Sequence, residues 1–198
     1  ITSLPAPTTR LADRSGPMRL LIVGGSLGAR ALNDTVPAAI AQLQAGNPLQ
    51  VYHQTGRDGL EQVVSGDKNA YLEARVEPFI DDMAEAYAWA DLVICRAGAL
   101  TVAELSVVGV AAILVPFPHA TDDHQTGNAR FLADAGAAVL LPQSELDAAG
   151  LARMLSDFLA QRDVLLEMAC RARELAMPDA ARRVAELCLQ AARPGDAA

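Results

Sequence analysis

The sequence predicts an α/β fold, a parallel sheet with helices on both faces, and three observations carry the prediction. Short aliphatic runs alternate along the chain with longer stretches of helical period, which is the pattern of βαβ units. Of the 198 residues, 52% are apolar but only 4% aromatic, so the core must be built from Ala, Val, Leu and Ile. That composition suits helices packed on a buried parallel sheet better than a β-sandwich. The first aliphatic run leads directly into Gly24-Gly25-Ser26-Leu27-Gly28 and then a helix, the kind of junction at which open sheets hold ligands.

The elements follow in order. Residues 1–17 carry Pro5, Pro7, Gly16 and Pro17 among polar residues and read as a linker or extended lead-in. The opening Ile1-Thr2-Ser3, without a starting methionine, is expected of a domain cut from something longer. Arg19–Val23 is a strand, 29–43 a helix, 51–54 a second strand and 58–71 a polar helical stretch. Residues 75–78 form a weak third strand, and 81–90 a helix with Asp81 or Asp82 near its start, where a carboxylate suits unpaired N–H groups. Leu92–Cys95 is a fourth strand, 99–107 a short helix, 111–115 a fifth strand closed by Pro116, and 125–135 a helix stopped by Gly136. A sixth strand covers 138–141, and the chain beyond Ser144 is helical with breaks near Gln161 and at Pro178. The domain proper is expected to span 18–192, with 193–198 a fraying tail.

Bulk properties exclude several classes. A net charge of -8 with no Lys/Arg stripe argues against nucleic acid and against a polybasic membrane patch. The longest apolar stretch, 107–117, falls short of the ~20 residues a membrane-spanning helix needs, and contains Gly109 and Pro116. The cysteines, Cys95, Cys170 and Cys188, are scattered and show no metal spacing, which fits a reducing cytoplasmic setting.

Ligands of open sheets sit outside the carboxyl ends of the strands, which selects the loops 24–28, 54–57, 78–81, 95–99 and 116–124, and four of these, all but 54–57, carry a motif with a chemical reading. In the first, glycines at 24, 25 and 28 let the backbone approach a pyrophosphate, and Ser26 adds a hydroxyl donor; a tight turn without a ligand uses the same residues. It is neither the dinucleotide fingerprint, which needs glycine where Ser26 stands and an acid after the second strand, nor a P-loop. In the second, Gly98 opens a helix in which Glu104 falls within the first two turns. There it either accepts hydrogen bonds from vicinal ribose hydroxyls or merely complements the helix dipole. The third runs 116–125. Gln125 is both donor and acceptor for a sugar hydroxyl, Asp122 and Asp123 are candidate helix caps, and His119 and His124 are surface histidines rather than metal ligands. The fourth is Pro78-Phe79-Ile80-Asp81-Asp82-Met83, where Phe79 covers a flat base and Ile80 offers backbone groups to a pyrimidine edge, or both side chains are core. His53, Trp89, the methionines and the carboxyl-terminal arginines read as structural or solvated.

Taken together, five ordered motifs resemble one family. They are Gly24-Gly25-Ser26-x-Gly28-Ala29 with Asn33, then Phe79 to Met83, then Tyr87-x-Trp89-Ala90-Asp91. Cys95-Arg96-x-Gly98-Ala99-Leu100-Thr101-Val102-x-Glu104 follows, and then Gln125-x-x-Asn128-Ala129 with Ala135-Gly136-Ala137-Ala138. The stretch is similar to the carboxyl-terminal, donor-binding domain of MurG-type N-acetylglucosaminyltransferases over residues 17–190. The resemblance implies a Rossmann-like parallel sheet forming the carboxyl-terminal half of a GT-B glycosyltransferase. It implies a UDP-N-acetylglucosamine donor and a lipid I acceptor held by an amino-terminal domain outside this chain, with conversion of lipid I to lipid II in peptidoglycan synthesis. It also implies a peripheral place on the cytoplasmic side of the bacterial inner membrane for the whole protein.

By resemblance, Ser26 meets the diphosphate and Ile80 the uracil through its backbone, with Gly25, Gly28 and Phe79 as further donor-binding candidates beside them. Ala99, Leu100, Thr101, Val102, Ala103 and Glu104 meet the nucleoside, with Glu104 on the ribose, and Gln125 meets the N-acetylglucosamine. The general base is expected in the other domain, and a donor-contacting arginine would lie just before Ile1. The loop before Gln125 is a residue longer than in some relatives, and His124 stands where some carry a second glutamine. No cofactor is required by this chain, and no divalent metal is indicated. The alternatives are a non-catalytic nucleotide-sugar-binding module and a UDP-sugar epimerase-like domain.

Overall fold

The computed structural model describes residues 1–12, 14–25, 28–43, 49–65 and 74–191. The elements run α1 (Pro7–Arg10), β1 (Met18–Val23), α2 (Arg30–Ile40), β2 (Leu49–Gln54), α3 (Leu60–Ser65), β3 (Arg75–Glu77), α4 (Met83–Trp89), β4 (Leu92–Cys95) and α5 (Ala99–Val108). They continue with β5 (Ala111–Leu114), α6 (His124–Ala133), β6 (Ala138–Leu140), α7 (Ala148–Ala160), α8 (Arg162–Glu174) and α9 (Ala180–Ala191). The expected alternation is present, with boundaries shifted by a few residues. The second half of the polar helical stretch, from 66 to 71, and the expected tail lie outside the described residues.

β1 is aliphatic at every position but Arg19, as a strand covered on both faces must be. Its side chains divide by the two-residue period of a strand. Leu21 and Val23 enter one core, Leu20 and Ile22 the other. β4 and β5 divide in the same way, with Val93, Cys95, Ala112 and Leu114 on the first face and Leu92, Ile94, Ala111 and Ile113 on the second. Tyr87 of α4, Leu105 of α5 and Leu132 of α6 cover the first face. Leu32 and Val36 of α2, Leu155 and Phe158 of α7 and Met168 of α8 cover the second. Fully burying one such leucine is worth about 1.5–3 kcal/mol.

The strand order is β3-β2-β1-β4-β5-β6, and every pairing is parallel; Leu20 stands opposite Val51 on one side and Leu92 on the other. The chain winds outward from β1 to β3, then crosses to β4 and winds the other way. The connections after β1 and β4 therefore leave on opposite faces and open a crevice at the carboxyl ends of those strands.

Helix ends are settled by local chemistry. Asp82, one of the two aspartates expected there, caps α4 by accepting the Glu85 N–H at 2.9 Å. α5 ends where Gly109 turns left-handed, at φ 66°. Gly136 does the same beyond α6, where the Ala137 N–H returns to the Leu132 carbonyl. The stretch read as a lead-in carries the helical turn α1 and packs on the domain. Arg10 donates to the carbonyls of Ala90 and Gly109, and Arg14 to that of Trp89 at 2.7 Å. The last carbonyls of α4 lack intrahelical partners and attract cations, which is why two arginines lodge there. Among the described residues no helix is long and apolar enough to cross a membrane.

Candidate nucleotide-sugar site

Because the sheet is parallel, the loops after β1, β3, β4 and β5 all open on one edge. α4, α5 and α6 follow three of these strands and pack side by side on one face, while α2 begins on the other. Four helix N-termini are thus directed at the same edge, each with positive dipole character.

In the glycine loop the demand for glycine is steric. A Cβ at Gly24 would lie 2.9 Å from the Ala29 nitrogen, and one at Gly28, where φ is 75°, would lie 2.5 Å from the Thr55 carbonyl oxygen. Among the described residues of the loop, the N–H groups of Gly24, Gly25 and Gly28 are less open to a ligand than the sequence implies. Gly24 donates to the Gln54 carbonyl, Gly25 to the Gln54 side-chain oxygen at 3.1 Å, and Gly28 to the Gly25 carbonyl. The start of α2 remains, where Ala29 provides no side-chain cap. Ser26, the expected diphosphate contact, lies outside the described residues.

The α5 segment is divided by its own helical period. Leu100 is 80% exposed, Ala99 and Ala103 are exposed, and Thr101 and Glu104 are half-buried. Val102 is buried in the core, so only its backbone is available to a ligand. Gly98 caps α5 without a side chain, leaving the first N–H groups of that helix for a partner. Glu104 Oε2 accepts a hydrogen bond of 3.2 Å from the hydroxyl of Tyr87, a residue only 1% exposed. Burial foremost, and then the facing Cys95 and Glu104, drive the Tyr87 hydroxyl far above its ordinary pKa, so it remains a donor. The bond holds the carboxylate at a set angle; the sequence motif includes Tyr87 but does not reveal this task.

Ile80 is 2% exposed, so its side chain is core and only its backbone can face a base. Phe79 is 53% exposed, available to cover one. Beside them a cavity of about 710 Å³ runs along β2, β3 and α4, lined by Tyr52, Arg75, Glu77, Phe79, Ile80 and Trp89 among others. Among the described residues it borders the Phe79–Ile80 segment and none of the other three.

Gln125 is half-buried, and its side-chain oxygen accepts the Phe117 N–H at 3.0 Å. That leaves its NH2 as the group open to a ligand. Asp122 and Asp123 do not cap α6 with their side chains. Their backbones are left-handed, at φ 52° and 51°, in a 3-10 turn over Thr121–Asp123, and the Asp123 carboxylate takes the Thr126 hydroxyl instead. Arg96 braces this loop, donating to the carbonyls of Val115 and Pro116 and, at 2.6 Å, to Gln143. Burial lowers its pKa. Asn128 ties α6 to the Ala97 carbonyl at 3.0 Å. Among the described residues no three His, Cys, Asp or Glu side chains are grouped to hold a metal ion. Cys95 is wholly buried, which pushes its thiol up to about 12 and keeps it protonated.

His53 is fully buried, its Nε2 3.1 Å from Asn33 Oδ1, and burial lowers its pKa from 6.5 to about 4. With the folded pKa below the unfolded one, the unfolded chain takes the proton first. Stability present above pH 6.5 is therefore expected to fall by about 3 kcal/mol as pH drops towards 4. Urea unfolding across that window should show the fall, and His53→Gln should flatten it.

Glycine-opened helix starts on the carboxyl edge of a doubly wound parallel sheet, with an oriented acid on one of them, define an α/β domain of the class that holds ligands at that edge. The comparisons narrow the class. Residues 19–184 match the glycosyltransferase family 28 C-terminal domain, and the chain belongs to that family. It is 57% identical over 188 residues to the UDP-N-acetylglucosamine--N-acetylmuramyl-(pentapeptide) pyrophosphoryl-undecaprenol N-acetylglucosamine transferase of Aromatoleum aromaticum, covering 95% of this chain and 52% of that protein. Its structure is similar to crystalline MurG of Acinetobacter baumannii, with TM-score 0.88 and 44% identity over 96% of this chain and 54% of that one. WaaG, a glycosyltransferase involved in lipopolysaccharide biosynthesis, shares the fold, at TM-score 0.67 and 20% identity over 96% of this chain and half of that one. The chain spans about half the length of the curated relatives it matches.

Proposed function

We propose that this chain is the donor-binding half of an inverting transferase that adds N-acetylglucosamine from its UDP conjugate to undecaprenyl-pyrophosphoryl-muramoyl-pentapeptide, completing lipid II for peptidoglycan. The 57% identity across nearly the whole chain to a transferase of that name carries the reading. Glu104, poised by Tyr87 at the start of α5, supports it. Residues 18–192 form the donor unit. The start of α2 and the glycine loop, with Gly25, Ser26 and Gly28, take the diphosphate, and the Ile80 backbone with Phe79 takes the uracil. Residues 99–104 take the nucleoside, with Glu104 on the ribose, and Gln125 takes the N-acetyl sugar.

In the reaction the muramyl 4-hydroxyl attacks the anomeric carbon, the configuration inverts, and UDP leaves. The chain's part is to orient the donor and to stabilise charge growing on the diphosphate with helix-terminal N–H groups. Arg96 does not serve as a cation clamp, because its guanidinium is committed to the loops after β5 and β6. The general base and the lipid acceptor site belong to the other half, so the isolated chain is expected to bind donor without turning it over. The whole enzyme would work as a peripheral protein on the cytoplasmic face of the inner membrane.

Calorimetry on the 198-residue chain is expected to show saturable binding of UDP and of UDP-N-acetylglucosamine. Heats no larger than those of dilution up to millimolar ligand would end this reading.

A further inference from the structure

Beneath the glycine loop lies a buried polar trio to which the donor reading gives no task. Asn33, His53 and Thr55 are 4%, 0% and 0% exposed. Asn33 Nδ2 donates to the Thr55 carbonyl at 3.0 Å, so its oxygen faces His53, and at 3.1 Å the His53 Nε2 must be the donor. The Thr55 carbonyl is also where two further segments close in. A Cβ on either Gly28 or Gly59 would stand 2.5 Å from that oxygen. Just upstream, Gln54 holds the entrance of the glycine loop, its carbonyl accepting from Gly24 and its side chain from Gly25. The end of β2 thus grips the loop twice, at its entrance through Gln54 and at its exit through Asn33 in the first turns of α2. Polar groups cost stability when buried unless they are bonded, so a bonded trio placed under a ligand loop is suited to fixing geometry.

We propose that His53 is a positioning residue for the diphosphate. By donating to Asn33 it fixes the carboxamide that clamps α2 to the Thr55 carbonyl, and so sets where the glycine loop and the first N–H groups of α2 stand at the sheet edge. This rests on the donor-binding reading above. Its consequence is selective: phosphate binding depends on the clamp, while the base and ribose contacts, on the loops after β3 and β4, do not.

The test titrates the 198-residue chain with UDP and, separately, with uridine, following both by NMR. His53→Leu, which removes the donor, is expected to weaken UDP about tenfold and leave uridine unchanged. His53→Gln, whose amide N–H can take the place of Nε2–H, is expected to recover most of the loss. Equal weakening of both ligands, undiminished UDP affinity, or a loss that His53→Gln retains would each overturn the proposal. Should His53→Leu not fold, Asn33→Ala is read by the same comparison; if neither folds, the trio is a folding element and the proposal falls. Wild-type chain that binds UDP no better than uridine would instead remove the diphosphate site itself, a result distinct from wild-type selectivity surviving in His53→Leu.

Discussion

Glu104→Ala is expected to weaken UDP binding roughly 10- to 100-fold, in line with the about 1.5–3 kcal/mol that hydrogen bonds to a charged group contribute. Glu104 stands in the second turn of α5, half-buried, with Tyr87 Oη 3.2 Å from Oε2. An isolated surface glutamate would lose side-chain entropy on binding a ribose; one already oriented by a buried tyrosine loses less. The specific signature is a comparison of UDP with its 2′-deoxy analogue. Wild-type chain should prefer UDP, and Glu104→Ala should bind both alike. Tyr87→Phe should show the same trend at smaller amplitude, because the carboxylate remains but loses its tether. If Glu104→Ala still discriminated the two nucleotides as wild type does, the acid would have no part in recognising the ribose and would merely complement the helix dipole.

The largest effect on stability is expected at Asp91. Its side chain is 5% exposed, and it accepts from Arg14 at 2.6 Å, from Arg162 at 2.9 Å and from the Arg19 N–H at 2.9 Å. One carboxylate thereby joins the chain before β1, β1 itself and the start of α8. Removing one member of a buried ion pair typically costs about 3–5 kcal/mol, because the charges left behind have lost their partner. Arg14 and Arg162 retain 17% and 31% of their side-chain exposure, so water screens part of that loss and Asp91→Ala should sit near the lower figure. In a domain of this size about 3 kcal/mol lowers the melting temperature by about 6–12 °C. Asp91→Asn, which keeps an acceptor for Arg19, should lose less. A melting temperature within a degree of wild type for Asp91→Ala would show that the cluster adds nothing to the fold.

The candidate loops could be located before any strand was paired. Gly24 and Gly28 announce themselves because a Cβ is sterically excluded at both, and Glu104 because its distance from Gly98 puts it near a helix start. A core side chain was among the readings open for Ile80, but nothing marked Val102 as turning inward, since an aliphatic residue beside a loop reads alike in either orientation. Asp122 and Asp123 misled for a related reason. Aspartates before a helix are ordinarily caps, and only the left-handed backbone at both positions diverts them. His53 is inconspicuous in the sequence, a lone histidine in a strand, and its meaning depends on an asparagine twenty positions away.

Residue order along the chain was enough for the α/β class, for the succession of strands and helices, and for the set of loops that open on the carboxyl edge of the sheet. These rest on local rules: side-chain period, glycine conformation and helix capping operate over a few residues. Folding in three dimensions decided the strand order that places β1 beside β4, the commitment of the Gly24 and Gly25 amides to Gln54, the tether from Tyr87 to Glu104, and the clamp of His53, Asn33 and Thr55. Each of these joins residues far apart in sequence, and such partners are selected by the packing of whole elements, which no short window of residues contains.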